Sequence, residues 1–204
     1  LQRLGTDLPD GHRDRRHRFI EFYTALIVFH VSDPTQQLLP ALFQNGSLED
    51  RIGFASHLGY FLRQMQPAAK QLLWDSWLHR YWQGRLQGVL AALDDKEIRK
   101  MLDWLPDLED AFPAGTSLAA RSPTVHLEHS HLLLDLRDES DLVLRYPTET
   151  AELLIYLCNC DISYHKNDLG TIAARLSGLS PELRRRLDEA LARAGVIVSG
   201  TNPQ

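Results

Sequence analysis

Apolar residues in this chain recur at three- and four-residue steps almost from end to end. Nowhere do they alternate with the period of two that a half-buried strand requires. Between 14 and 29, Phe19, Ile20, Phe22, Tyr23, Leu26, Ile27 and Phe29 form a wide stripe. It predicts a well-buried helix, stopped by Ser32-Asp33-Pro34. A short helix over 36–44 ends at the Asn45-Gly46 turn signal, and Ser47 caps the next, over 47–64. That helix is expected to bury Ile52, Phe54, Ala55, Leu58, Phe61, Leu62 and Met65. Pro67 suits the first turn of a long helix over 67–87, with the stripe Leu72, Leu73, Trp74, Trp77, Leu78, Tyr81, Trp82 and Leu86.

Further helices are expected over 95–104, 106–112, 114–121, 127–136, 139–145, 148–158, 169–177 and 181–194. Asp168 is expected to cap the helix over 169–177. The last opens on Ser180-Pro181-Glu182 and closes on Gly195, a cap, an N1 proline and a glycine stop. The chain therefore reads as all-α, a multi-helix stack of HEAT-like repeats or an irregular bundle. It is expected to hold one helical domain over 14–195, between a loose lead-in over 1–13 and a tail over 196–204. The pairs 47–64/67–87 and 148–158/168–194 suit antiparallel hairpins, although no fixed sequence period is visible. No βα alternation points to a Rossmann crevice.

The 204 residues carry a net charge of -5, so the broad basic face that nucleic acid needs is not expected. No uncharged apolar run reaches the length of a membrane span. The two cysteines, Cys158 and Cys160, point about 200° apart on a helix and cannot make a secreted-type framework, which suits a reducing cytoplasm. The chain begins at Leu1 rather than Met, as a piece of a longer polypeptide would.

Three segments carry residue types capable of chemistry. His126, Glu128, His129 and His131 crowd imidazoles and a carboxylate into six positions, as a zinc site would. The HExxH spacing is absent, however, and the ordinary reading is a polar helix start. Cys158, Cys160, Asp161 and His165 offer thiolates and an imidazole but lack the two-residue spacer, and a small buried cysteine at a helix end accounts for them as well. Together these segments define the alternative to a binding module, a small metal-dependent hydrolase. Gly84-x-x-x-Gly88 is no phosphate loop. No cofactor is expected.

The third segment is Trp74-x-x-Trp77-x-x-x-Tyr81-Trp82. In an uninterrupted helix Trp74, Trp77 and Tyr81 share one face, while Trp82 lies about 140° from Trp77. Core packing explains the first three. Trp82, flanked by Arg80 and Arg85, is then expected to anchor a partner on a second face.

The text of this region resembles a known family. The residues are Trp74-Asp75, Trp77-Leu78, Arg80-Tyr81-Trp82, Arg85-Leu86 and Gly88, then Met101-Leu102, Trp104-Leu105-Pro106, Phe112-Pro113, Tyr146-Pro147 and Ala151 to Leu157. They resemble a bacterial domain of unknown function found C-terminal to sirtuin-like modules. The resemblance implies a sensing, regulatory or assembly part of NAD-hydrolysing anti-phage proteins. It carries over no catalytic residue. The function expected is thus a non-catalytic interaction domain that recognises a protein partner or the rest of its own polypeptide.

Overall fold

The computed structural model describes residues 13–30, 34–35, 37–86, 94–125, 131–138, 141–161 and 164–198. Apart from one isolated bridge at Asp161, whose amide bonds the Val125 carbonyl, regular structure among them is helical. The chain divides into two compact units, Leu1–Leu108 and Glu109–Gln204.

In the first unit, α1 spans Arg13–His30, α2 Leu38–Asn45 and α3 Leu48–Gln64. Ser47 caps α3 through a complete capping box: its hydroxyl accepts from the Asp50 amide, and the Asp50 carboxylate accepts from the Ser47 amide. Arg16 of α1 also bonds Asp50, so one carboxylate closes the cap and ties α1 to α3. Arg16–Asp50, Ile20–Gly53 and Phe29–Phe61 advance together along both helices. α1 and α3 therefore run in the same direction.

The chain turns back through α4, Pro67–Leu73, a π-helical turn at Trp74–Leu78, and α5, His79–Leu86. It returns again as α6, Asp95–Asp103, with Asp94 as its cap. Arg51–Glu97, Gly59–Trp104 and Arg63–Asp107 again ascend together, so α6 also runs parallel to α3. The core of this unit is Ile27, Phe54, Leu58, Leu62, Leu78, Met101 and the tryptophans.

The second unit follows the same rule. It comprises α7 (Phe112–Ala119), α8 (His131–Asp138), α9 (Leu142–Arg145), α10 (Pro147–Cys158), α11 (Lys166–Arg175) and α12 (Pro181–Ala194). Asp110–Arg145, Phe112–Tyr146 and Ser122–Tyr156 set the segment around α7 parallel to α10. Glu152–Arg186, with Cys158 near Arg193, sets α10 parallel to α12. The expected pairing of 148–158 with 168–194 as one hairpin is corrected. α10 packs on α12 in the same direction. The turn at Gly178, φ 71°, and the Ser180 cap split that stretch into two helices.

Parallel neighbours joined by a returning helix are the geometry of stacked helical hairpins. The partners are 34 residues apart at Arg16–Asp50, Ser122–Tyr156 and Glu152–Arg186, and 46 apart at Arg51–Glu97. The recurrence lies in spacing alone, which explains why no repeated text is visible.

Several helix starts differ from expectation. Residues 106–111 form a 3-10 turn, and α7 begins at Phe112. α11 begins at Lys166, so Asp168 lies in its first turn rather than at its cap. It is buried there between Arg137 and His165.

Candidate functional site

The tryptophan helix decides the fate of the three residues expected to bind a partner. At its centre the His79 amide reaches back five residues to the Trp74 carbonyl, the bond of a π turn. One extra residue in a turn delays everything after it by about 100°. In an uninterrupted helix Trp82 would lie about 80° from Trp74 and about 140° from Trp77. The delay brings it to within about 20° and 40° of them. Trp82 accordingly joins the core, with its ring 6.2 Å from Trp74 and 4.3 Å from Trp104.

The same rotation turns Arg80 outward, while Arg85 stays on the tryptophan side with or without it. Trp82 and Arg85 are both 0% exposed, so a partner on this surface touches neither. Their placement as contact residues is corrected on that ground. Arg80 is exposed, and its guanidinium donates to the Ser76 carbonyl one turn back.

Arg85 serves an interior ion cluster instead. Its Nε donates to Glu97 Oε1 at 2.8 Å, and Nη2 lies 2.6 Å from the same oxygen. Arg51 reaches Glu97 Oε2 at 3.3 Å. Glu97 is 0% exposed, so one buried carboxylate holds cations from α3 and α5 onto α6. Burial, reinforced by Glu97, pushes the Tyr81 hydroxyl far above its ordinary range.

The candidate metal segments adjoin at the backbone bond from the Asp161 amide to the Val125 carbonyl, and only part of them is described. His126 and His129 lie outside the described residues, and His131 is exposed at the start of α8. His165 is buried with Nδ1 3.2 Å from Asp168 Oδ2. The Cys160 thiol is buried and points to the Tyr156 carbonyl. Cys158 is half-buried, and desolvation pushes its thiol up to about 11, away from a nucleophilic thiolate. Among the described residues no group of three or more His, Cys, Asp or Glu side chains is placed to hold a metal ion. Gly88 of the spaced glycine pair lies outside the described residues.

The surface feature that sequence reasoning missed is aromatic and lies on α1 and α3. Phe22 is 68% exposed, Phe29 54% and Tyr60 59%. Phe29 meets Phe61 edge-on at 5.5 Å, and Phe61 meets Tyr60 at 5.7 Å. The signal was present. Phe22 and Phe29 fall about 180–200° from Ile20 on a helical wheel, so one helix side could not bury the whole stripe. Leu72, also assigned to a buried stripe, is 71% exposed.

The described residues thus define an all-α, multi-helix protein whose most distinctive residues, Trp74, Trp77, Tyr81, Trp82 and Trp104, build its interior. No described helix is long and apolar enough to cross a membrane. The chain belongs to the family described as Domain of unknown function (DUF4020), whose profile matches residues 26–179. No curated protein and no solved structure matches it.

Proposed function

We propose that this chain is a protein-interaction module without catalytic machinery of its own, working as a regulatory or assembly part of a larger bacterial polypeptide. The observation that carries the reading is the exposure of three aromatic side chains, Phe22, Phe29 and Tyr60, on the neighbouring helices α1 and α3. Aromatic side chains held outward on a rigid helical scaffold lose little entropy on binding and supply the buried anchors of protein interfaces. Arg80, exposed on α5, is the polar contact residue retained from the original three.

The sequence resemblance at 74–112 and 146–157 supports the further context of a sirtuin-like, NAD-hydrolysing anti-phage protein. Cys158 and Cys160, too few for a secreted-type disulfide framework, suit the reducing cytoplasm such a protein would occupy. The test is capture of the native protein from its source cells with an antibody to this segment, followed by intact mass and peptide sequencing. A much larger polypeptide with sirtuin-like peptides is the expected result, and a species of this chain's own mass overturns the context. Hydrogen exchange on that native polypeptide tests the surface. Amides around Phe22, Phe29 and Tyr60 should exchange more slowly than in the isolated chain, and equal rates in both overturn the interface.

A further inference from the structure

We propose that His17 of α1 and His57 of α3 form a two-imidazole site for a divalent transition cation of the zinc–copper class. Such an ion would clip the two parallel helices together. The inference is independent of the interaction surface above and of the histidine run at 126–131.

The geometry suits chelation. The ring centroids lie 4.7 Å apart with planes tilted by 51°. A metal bound at about 2.0–2.1 Å from a ring nitrogen stands about 3.2 Å from that ring's centroid. Two centroids 4.7 Å apart then subtend about 95° at the ion. That angle falls between the about 90° of an octahedral pair and the about 109° of a tetrahedral one.

The chemistry of the pair agrees. His57 Nε2 is buried and has no hydrogen-bond partner among the described residues. A buried ring nitrogen without a partner is uncommon, and a metal ion is one of the ligands that completes it. Metal binding needs neutral imidazole. His17 is exposed, which gives an ion a route from solvent. Glu21 follows His17 by one turn on the same face of α1, and its charge acts on His57, so it is a carboxylate available to complete the shell with water. Nitrogen donors favour zinc, copper and nickel over calcium and magnesium.

The experiment is calorimetric titration of Zn2+ into the untagged full chain. It is made in a background of His126→Gln, His129→Gln and His131→Gln, so that the histidine run contributes nothing. One equivalent should bind, and adding His17→Gln should weaken it at least tenfold. His17 is exposed, so this substitution leaves the fold intact, as far-UV circular dichroism would verify. No saturable binding in the background chain overturns the proposal, as does binding indifferent to His17→Gln. If the triple substitution itself unfolds the chain, the comparison is made without it. His17→Gln must then remove one equivalent from the total Zn2+ bound, and an unchanged total overturns the site.

Discussion

Replacing Glu97 by Gln tests whether the interior ion cluster holds the first unit together. Glu97 is 0% exposed and faces Arg85, also 0% exposed, and Arg51. At an effective dielectric of about 20, each pair near 3 Å is worth roughly 5 kcal/mol of attraction before desolvation. The neutral amide removes that attraction but leaves the Arg85 cation buried. Breaking one side of a buried ion pair in this way costs about 3–5 kcal/mol. Because the unit spans Leu1–Leu108, each kcal/mol shifts its melting temperature by about 4 °C. The expected loss is about 12–20 °C.

Guanidinium unfolding should show a lower midpoint with an unchanged slope. The double variant Glu97→Leu/Arg85→Met supplies the control. It removes both buried charges and should recover most of the loss, because an apolar pair of similar volume avoids the desolvation cost. Arg51 keeps 15% side-chain exposure and can return to water. A Glu97→Gln protein within about 0.5 kcal/mol of wild type would refute the reasoning. So would a double variant as unstable as the two single changes added together.

Other outcomes follow from the same structure. Gly59→Ala should destabilise the first unit by about 1–3 kcal/mol on urea denaturation, because its Cβ would lie 2.8 Å from Trp104 Cβ and 3.0 Å from Cδ1. Cys158 should react with iodoacetamide at pH 8 about 100-fold more slowly than a free thiol, since its pKa of about 11 leaves little thiolate. Acid should weaken the α1–α3 junction in two steps. His57 has its folded pKa depressed, so the unfolded chain binds the proton first, and stability falls as pH drops below about 6.5. Burial opposes ionisation of Asp50, but Arg16 and Ser47 still hold it below the ordinary range, so its contribution is present above about pH 4 and is lost below that. Stability measured against pH should lose the upper step in His57→Gln and the lower one in Asp50→Asn.

Much of the fold is written locally. Caps, prolines and apolar stripes identify helices because each depends on residues within a few positions. Ser47, Pro67, and Ser180 with Gly195 act in the structure as they read in the text. The placement of Trp82 and Arg80 is not local in this sense. A single extra residue in the Trp74–Leu78 turn rotates all that follows, and no residue type announces it. The π turn costs intrahelical bonding that packing of Trp82 against Trp74 and Trp104 offsets, and Trp104 lies on a different helix system. The pairing of His17 with His57 and the outward face of Phe22, Phe29 and Tyr60 depend in the same way on α1 lying beside α3 in parallel. The sequence by itself determined that this chain is helical and where most helices begin and end, through short-range hydrogen bonding and periodicity. Only the tertiary structure decided which aromatic and charged side chains became interior and which became surface. That choice follows from helix phase and from neighbours about 34 residues away.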